Sequence, residues 1–483
     1  MKTTITIVLF MLISITVKTQ TTFEKVYSDS GITNAYDIIT TYDGGYAVTG
    51  FKTCGTLFCL DFFLLKLDAQ GNKEWVRIYD AYGADDHAYA IVQTKDSGFV
   101  MAGVSQTPPN LASNVRFLKV DKNGNKLWDR NYGGLGEQFG FDVEQTFDGG
   151  FILATLQDTS GVSNGNQVEL IKTDSLGIIV WQKQYYNVGD GQAQAVKQTN
   201  DSGYVVTGVV VNMLSPTSGE DIFLLKTDKN GDTLWTKFYG NTGAERGEDV
   251  IVTSTGNFVI AGYTSGFFNS NQIAAYIIKT NNMGDSLWTK VVEKGDQDGI
   301  YSLIEDNNKN YVFAGYTSIS LPPGNSDVYL LKTDSNGIKI FEKQFQYQAN
   351  ADEGAHSVVL TNDGGYIMCG LTQTPTAMVY VVKTDSNGLI TGIDDFTPLP
   401  VTNINVYPNP FSNYTTVDLS EIYEYGSANL NIEFYDFTGK LLFQQPVNEA
   451  KTILYNQGYA NGLYFLRIKN NQQIIATKKL IIN

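Results

Sequence analysis

One ten-residue stretch recurs along most of the chain at an almost constant interval. Its clearest copy, KTDKNGDTLW, runs from Lys226 to Trp235. The leading lysines of the copies are 53, 53, 54, 53, 53 and 51 residues apart: Lys66, Lys119, Lys172, Lys226, Lys279, Lys332 and Lys383. A fixed period of this kind indicates a repeat architecture, in which each unit packs mainly against its neighbours.

Each repeat predicts four short strands joined by tight turns. In the second copy, strand formers at 87–94 and 99–103 flank one turn, and those at 114–120 and 127–132 flank another. The turns carry Asp, Asn and Gly, which start and close hairpins. No long helical period occurs in the repeats. Four strands in about 50 residues is the spacing of a propeller blade. The predicted fold is therefore all-β, with a seven-bladed β-propeller over residues 20–392.

The tryptophans form one column of this repeat. All five tryptophans stand there, and Phe341 takes the place in the sixth copy: Trp75, Trp128, Trp181, Trp235 and Trp288. A row of ligand-stacking aromatics is one interpretation, but a large ring at a fixed place more simply fills the gap between blades. The run resembles the tryptophan-docking repeat of quinone-enzyme propellers. Its turn is one residue shorter, and no quinone site is inferred from it.

The seventh copy lacks a fourth strand, because Gly392 stands where the other copies have an aromatic residue. Residues 23–27, FEKVY, match the fourth-strand pattern of residues 235–239, WTKFY. We therefore expect residues 23–27 to pair with residues 378–383. This pairing would close the ring and hide both edge strands.

The N-terminus and the composition predict an exported protein. In residues 1–19, Lys2 precedes an apolar run from Ile5 to Val17, which is typical of a secretory signal peptide and too short to span a membrane. No other segment is apolar enough to be a transmembrane segment. The chain has 34 Lys and Arg against 50 Asp and Glu, a net charge of −16. This charge argues against nucleic acid or anionic membrane as a partner.

The three cysteines do not have the spacing of metal ligands. Cys54 and Cys59 flank a loop of the first repeat, and either a hairpin disulfide or two unpaired small residues would fit an exported protein. Cys369 stands where other copies have Thr or Ala, which predicts a small buried residue.

The repeats end at Gly388, and a linker is predicted at 393–403. From residue 404 the period is lost, and short strand patterns separated by turns predict a small antiparallel β-sandwich of the Ig-like kind. VYPNPF at 406–411 resembles the opening of the type A C-terminal sorting domain of the type IX (Por) secretion system. The blocks at 430–440, 462–468 and 478–483 resemble its later parts. The motif residues that match are Tyr407, Pro408, Asn409, Pro410, Gly439 and Gly462.

This resemblance implies a partner and a route. A signal peptide would carry the chain across the inner membrane, and residues 404–483 would be read by the type IX machinery at the outer membrane. The tail would then be cut off, and the body released or joined to surface lipopolysaccharide. The family is of the Bacteroidetes type, so the expected location is extracellular or on the outer cell surface.

A search for catalytic motifs gives little. The only two histidines, His87 and His356, lie in different repeats, and a metal site built on them is not favoured. No nucleophile elbow, phosphate loop or His-Glu-x-x-His motif occurs. The Asp-x-Asn-Gly turns lack the acidic positions of calcium loops and are better read as hairpins. No catalytic residue and no cofactor is predicted.

One polar column stands out. The loop that enters the first strand carries an acid in six of seven copies: Asp86 (with Asp85), Glu137, Asp190, Glu245, Asp298 and Glu353 (with Asp352). These carboxylates could ring one mouth of the central channel and bind a polar ligand or calcium. Alternatively, each caps backbone amides of its own turn and recurs because the repeat was duplicated, which we favour.

Two function classes fit these features. One is a non-catalytic surface propeller that binds an extracellular glycan, protein or polymer. The other is a secreted hydrolase or lyase of glycans or polymers on the same scaffold. Fold alone does not choose between them. No irregular loop carries a set of catalytic residues, so binding is the preferred hypothesis.

Overall fold

The chain forms strands almost throughout and divides into two compact units, residues 1–392 and 393–483. The computed structural model describes residues 20–28, 31–53, 60–81, 85–107, 112–133, 136–158, 165–211, 219–241, 243–265, 272–318, 326–348, 351–373, 377–390, 404–419, 430–437, 440–447, 449–470 and 473–483. The expected signal peptide and the linker at 393–403 lie outside these residues, as do Cys54 and Cys59.

The first unit contains seven four-stranded antiparallel sheets, the blades of a β-propeller. Blades 1 to 3 comprise β2 Ile32–Thr40, β3 Tyr46–Thr53, β4 Leu60–Leu67, β5 Lys73–Tyr79; β6 Asp86–Gln93, β7 Phe99–Thr107, β8 Ala112–Val120, β9 Lys126–Tyr132; and β10 Gln138–Gln145, β11 Phe151–Asp158, β12 Asn166–Thr173, β13 Ile179–Gln184. A 3₁₀ turn at Tyr186–Val188 follows β13.

Blades 4 to 7 continue the same order. They comprise β14 Gly191–Gln198, β15 Tyr204–Val211, β16 Glu220–Thr227, β17 Thr233–Tyr239; β18 Glu245–Val252, β19 Phe258–Thr264, β20 Ala274–Thr280, β21 Ser286–Val292; β22 Gln297–Glu305, β23 Tyr311–Ser318, β24 Ser326–Thr333, β25 Lys339–Phe345; and β26 Asp352–Leu360, β27 Tyr366–Gln373, β28 Ala377–Thr384.

The seventh blade is completed by the N-terminal strand β1, Phe23–Tyr27. This strand pairs antiparallel with β28, in a register that runs from Phe23 opposite Lys383 to Tyr27 opposite Val379. It thus takes the place of the missing fourth strand. Because the first and last segments of the propeller share one sheet, seven blades can close into a ring.

Neighbouring blades are joined by an aromatic ring that packs on a glycine. At Gly231, which has a φ of +78°, an added Cβ would lie 2.7 Å from the ring of Trp181 in the preceding blade. The same contact occurs at all seven junctions: Phe23–Gly71, Trp75–Gly124, Trp128–Gly177, Trp181–Gly231, Trp235–Gly284, Trp288–Gly337 and Phe341–Gly388. The tryptophan column therefore packs between blades, as its recurrence indicated.

A tyrosine adds a hydrogen bond to most of these junctions. Tyr79 donates its hydroxyl to the carbonyl oxygen of Gly124 at 2.8 Å. Four other junctions have the equivalent bond, from Tyr27, Tyr132, Tyr185 and Tyr239 to the glycine of the next blade. The glycine thus contributes both its bare Cα and its carbonyl oxygen to the contact.

In six of the seven blades, the leading lysine of the repeat is buried against the first hairpin. Lys226 Nζ lies 3.0 Å from a carboxylate oxygen of Asp201. Five other lysines make the equivalent ion pair with the turn aspartate: Lys66–Asp43, Lys119–Asp96, Lys172–Asp148, Lys332–Asp306 and Lys383–Asp363. In the fifth blade, where Thr255 replaces the aspartate, Lys279 donates to the carbonyl oxygen of Ser335.

The second unit contains two antiparallel sheets. Its strands are β29 Asn405–Tyr407, β30 Tyr414–Asp418, β31 Leu430–Asp436, β32 Leu441–Pro446, β33 Lys451–Tyr455, β34 Gly462–Asn470 and β35 Gln473–Ile482. The orders are β29-β30-β33 and β32-β31-β34-β35. Val417 and Leu454 of the first sheet share one buried core with Ile432, Leu466 and Leu480 of the second, which makes a small sandwich.

The Tyr-Pro-Asn-Pro segment is attached to the last strand. The Asn409 amide donates to the carbonyl oxygen of Lys479 at 2.8 Å and accepts from the Ile481 N–H at 2.9 Å. Phe411 exchanges backbone hydrogen bonds with Ile481 and Asn483. The first and last motifs of the sorting domain therefore form one structural feature. Gly462 opens β34, while Gly439 lies outside the described residues.

Ring closure by β1 can be tested with Phe23→Ala. Phe23 is 5% exposed and lies on Gly71, so removing its ring should lower the free energy of unfolding by about 3 kcal/mol. Lys25→Ala is the matched control, because the Lys25 amine makes exposed hydrogen bonds to Gln70 and Asn72 and a cation–π contact of 5.2 Å with the Phe23 ring, which together contribute about 1 kcal/mol or less. Urea denaturation of both variants provides the measurement. Equal stability of the two variants would contradict a role for β1 in holding the ring.

Candidate functional site

The first strand of every blade carries a β-bulge at the same place. In blade 1 the register shifts between Ala35 and Asp37, which leaves Tyr36 as the extra residue. A bulge re-aims a side chain out of the regular alternation. The seven extra residues, which we call the bulge ring, are Tyr36, Tyr89, Phe141, Gln194, Glu248, Tyr301 and His356.

All seven members of the bulge ring line one cavity at the centre of the propeller. Its volume is about 580 Å³, and every lining residue belongs to the first strand of a blade. This size falls within the range of about 300–1,000 Å³ that is common for small-molecule sites. The centre of the ring is therefore a pocket with seven independently variable side chains.

Five consecutive members of the bulge ring form an arc of aromatic rings. Going from blade 6 to blade 3, the centroid distances are 5.4 Å for Tyr301–His356, 5.0 Å for His356–Tyr36, 4.9 Å for Tyr36–Tyr89 and 5.5 Å for Tyr89–Phe141. Such spacing is that of directly packed aromatic pairs. The arc offers one continuous aromatic wall to whatever occupies the cavity.

The polar tips of this wall are uncharged near neutral pH. Burial raises the pKa of Tyr36, Tyr89 and Tyr301, so their phenols stay protonated. Burial lowers the pKa of His356. The imidazole Nδ1 of His356 donates to the carbonyl oxygen of Ala35 at 2.8 Å, which leaves Nε2 as the unprotonated nitrogen.

The remaining two members of the bulge ring form a polar side. Gln194 lines the cavity, and its Nε2 has no hydrogen-bond partner among the described residues. Glu248 pairs with Arg246, with 3.0 Å between Oε1 and Nε. Burial raises the pKa of Glu248, and Arg246 opposes this shift. The cavity therefore combines an aromatic wall with a free amide donor and an ion pair.

In three of the seven blades, the residue after the bulge is an aspartate that bonds to the next blade. Asp37 Oδ2 accepts from the N–H of Ile91 in blade 2 at 2.9 Å, and Oδ1 accepts from Ser357 Oγ at 2.7 Å. Asp142 and Asp249 accept in the same way from Val196 and Leu303, each 54 residues further along. These aspartates line the cavity but already bond to the backbone, which gives them a positioning role.

Burial raises the pKa of Asp37 to about 7 and that of Asp249 to about 6. Lys197, on the same cavity wall, lies 2.7 Å from Asp142. Its pKa is raised because Asp142, Asp249 and Glu144 together outweigh the effect of burial. The amine of Lys197 is thus held as a cation among carboxylates.

The six acids predicted for the channel mouth do not line this cavity, and four of them are buried. Asp298 accepts from the N–H groups of Lys294 and Gly295, and Glu353 accepts from those of Tyr347 and Gln348.

Asp86 and Glu245 likewise accept from the N–H groups of Ala81 and Asn241. Glu137 and Asp190 are exposed, and Asp190 accepts from the N–H of Asn166. For Asp86, Glu245, Asp298 and Glu353, these bonds are those of residues that cap their own turn, the favoured alternative, whereas Asp190 bonds to a residue 24 positions away. A calcium-binding ring at the mouth stays a prediction.

Sequence reasoning set the two histidines aside, but the fold brings both to the aromatic arc. His87 lies 5.9 Å from Tyr89, and His356 belongs to the bulge ring itself. Cys369 is buried, as predicted, and burial raises its pKa.

Sequence reasoning missed the bulge ring because the residue type at this position differs from repeat to repeat. In each copy one variable residue stands between a small or apolar residue and an Asp, Ser or Ala, as in Ala-Tyr-Asp at 35–37 and Ala-His-Ser at 355–357. The sequence signal that could have revealed the bulge ring was this variation at one position of an otherwise similar repeat.

The family comparison identifies the C-terminal unit. Residues 405–483 match the family model described as "Secretion system C-terminal sorting domain". This part of the chain is therefore a sorting domain of the type IX (Por) system, which directs export to the cell surface or the extracellular space. No helix in the described part of the chain has the length and apolar character needed to cross a membrane.

Comparison with other proteins adds no assignment for the propeller. No curated protein matches the sequence. An ulvan lyase is 9% identical, covers 75% of this chain and 96% of its own, and has a TM-score of 0.49. An α-L-arabinanase of Penicillium chrysogenum in complex with arabinobiose is 11% identical. The match covers 62% of this chain and 93% of the arabinanase, with a TM-score of 0.43. Sqt1 of Chaetomium thermophilum is 14% identical. The match covers 75% of this chain and 85% of Sqt1, with a TM-score of 0.45. Since all three scores are below 0.5, the propeller fold rests on the seven sheets themselves.

The raised pKa values predict how stability depends on pH. Between about pH 4 and 7 the folded protein keeps protons on Asp37 and Asp249 that the unfolded chain has released. The stabilising contribution is thus fully present below pH 4 and is lost as the pH rises towards 7. Asp37→Asn should make this loss smaller, as measured by denaturant unfolding at about pH 4 and pH 8.

Asp96→Asn is the control for this measurement. The pKa of Asp96 is lowered to about 2, because hydrogen bonds from Lys119 and Thr94 outweigh partial burial. Above about pH 5, Asp96 is ionised in both the folded and the unfolded state, so its substitution should leave the slope between about pH 5 and pH 8 unchanged. An unchanged slope in Asp37→Asn would contradict the assignment.

Proposed function

We propose that this protein is an exported, non-catalytic propeller that binds a carbohydrate in the cavity lined by the bulge ring. The observation that carries the proposal is the five-ring aromatic arc facing a polar side within about 580 Å³. The cavity is enclosed by rigid strands, so the site is largely preformed.

The aromatic arc supports a sugar ligand because of the shape of sugars. A pyranose ring has apolar C–H faces and a hydroxyl rim. Its faces can pack on the rings of Tyr36, Tyr89 and Tyr301, while its hydroxyls reach the phenol oxygens and the His356 Nε2. Tyrosine suits this task, since it supplies a rigid apolar face with a polar tip.

The polar side supports hydrogen bonding to the rim of the same ligand. A buried amide donor without a partner costs free energy, and the Gln194 Nε2 is such a donor. A sugar hydroxyl would accept from it. The ion pair of Glu248 and Arg246 presents both an acceptor and donors at the neighbouring position.

Electrostatics favours an uncharged sugar over a polyanion. The chain has a net charge of −16, and the phenols and imidazole of the arc are neutral. Lys197, which lines the cavity, and Arg246, which contacts the lining residue Glu248, are already paired with carboxylates. A highly sulfated or acidic chain would find no free positive charge there.

For location, we infer the two-step route implied by the N-terminal and C-terminal segments. The signal peptide would direct the chain to the periplasm, and the sorting domain would direct it across the outer membrane. Removal of the tail would leave the propeller on the outer surface or free outside the cell, where the cavity meets environmental glycans.

A glycan array, followed by calorimetry, tests the binding proposal. Tyr36→Leu and Tyr301→Leu remove the aromatic face but keep most of the volume, and each should weaken binding of the captured sugar by about tenfold. Tyr42→Leu is the matched control, because Tyr42 is 66% exposed at a hairpin and does not line the cavity.

Two outcomes would overturn the proposal. If the cavity variants bind as well as the Tyr42 control, the sugar sits elsewhere. If chromatography of the incubated sugar shows shortened or unsaturated products, the protein is the alternative, a hydrolase or lyase. Uncleaved sugar with weakened binding in the cavity variants supports a binding module.

The export route is tested by altering the tail in a native host. Deleting residues 404–483 should leave a folded propeller in the periplasm, since the two units are separate bodies of contacts. A signal peptide and fluorescent protein fused to residues 393–483 should be exported. The same fusion ending at residue 472 is the control, because it lacks β35 and the partners of Asn409. Surface exposure of the truncated propeller would refute the route.

A further inference from the structure

Three aspartates converge where blade 1 meets blade 2, and none of them lines the central cavity. Asp61 lies in the third strand of blade 1, Asp80 follows its fourth strand, and Asp86 opens the first strand of blade 2. One carboxylate oxygen from each lies within 4.8 Å of the other two. Asp61 and Asp86 are buried, whereas Asp80 reaches solvent.

Two of these carboxylates carry a buried oxygen without a hydrogen-bond partner. Among the described residues, Oδ1 of Asp61 has no hydrogen-bond partner in a residue that is 5% exposed, and Oδ1 of Asp86 has none at full hydrogen-bond geometry in a residue that is 0% exposed, with the Ser105 hydroxyl as its nearest polar neighbour. A buried carboxylate oxygen without a partner carries a desolvation cost of several kcal/mol unless something satisfies it. The cluster therefore has unused coordinating atoms, as well as acidic charge.

The fixed cations nearby do not neutralise this network. Arg116 is fully buried between Asp86 and Asp129, with contacts of 2.9 and 3.0 Å. Lys52 lies 3.9 Å from Asp61. Lys126, 3.5 Å from Asp129, is a third cation of this network, so three cations face the four carboxylates Asp61, Asp80, Asp86 and Asp129.

Among the described residues, this trio occurs only at the junction of blades 1 and 2. Asp61 and Asp80 stand one step beyond the cross-strand pair Phe62–Tyr79. The equivalent positions carry Asn114 and Gly133 in blade 2, Asp221 and Gly240 in blade 4, Ala274 and Glu293 in blade 5, and Asp327 and Gln346 in blade 6. At the matched positions named above, no other blade has an acid at both the Asp61 and the Asp80 position. Duplication of the repeat therefore does not explain why three acids meet at this junction.

We propose that Asp61, Asp80 and Asp86 bind a calcium ion that joins blade 1 to blade 2. All the donors are carboxylate oxygens, which hard cations prefer. An exported protein meets calcium at concentrations that match extracellular sites, with dissociation constants of about 10⁻⁴–10⁻³ M. The ion would connect the third strand of one blade to the first strand of the next and satisfy the unpaired oxygens.

The test uses the full-length protein with calcium alone, magnesium alone and terbium as a luminescent substitute for calcium. Calcium at about 1 mM should raise the melting temperature, and terbium luminescence should titrate to one site that calcium displaces. Asp80→Asn should weaken calcium binding by at least about tenfold without disturbing the fold, since Asp80 is exposed.

Two controls locate the effect. Glu293→Gln changes an exposed acid at the matched position of blade 5 and should keep the calcium response of the wild-type protein. The triple variant Glu137→Ala, Asp190→Ala, Glu245→Ala should also keep it. The proposal fails if the wild-type protein shows no calcium-dependent shift, if Asp80→Asn responds fully, or if the triple variant alone loses the response, which would assign calcium to the channel mouth.

Discussion

The contact of an aromatic ring with the glycine of the next blade is what turns seven small sheets into one body. A four-stranded sheet of about 30 residues cannot bury enough apolar surface alone, so each blade depends on its neighbours. The glycine must lack a Cβ because the ring occupies that space, and its positive φ makes the same residue the natural end of a hairpin. One residue therefore serves turn formation and blade packing together.

In the closed ring, the first strands of the blades supply the side chains that line the central cavity. The outer aromatic contacts, the buried lysine pairs and the Asp37-type bonds hold the blades without using a side chain of the bulge ring. The bulged residues can differ from blade to blade without disturbing the repeat. The bulge ring is where the protein departs from its own symmetry, and such a departure is what a specific site on a repeat scaffold requires.

The sequence predicted the parts of the structure that recur, and it failed where recurrence ends. The period, the hairpin glycines and the tryptophan column are local signals repeated seven times, so the blades could be derived from them. The sorting domain was identified from ordered motifs such as Tyr407–Pro410. By contrast, Tyr36 and His356 are 320 residues apart and meet only when the ring closes. Among the acids of the entering loops, Asp298 and Glu353 accept hydrogen bonds from N–H groups of their own turns, as the favoured turn-capping interpretation expects.

The central claim is that the bulge ring forms the binding site, and a crystal structure with the sugar selected on the array tests it most directly. The account predicts electron density for one sugar ring inside the central cavity, against the faces of Tyr36 and Tyr89, with a hydroxyl within hydrogen-bond distance of the Gln194 Nε2. Density for the sugar on the outer strands or on the hairpins, with the cavity holding only water, would contradict it.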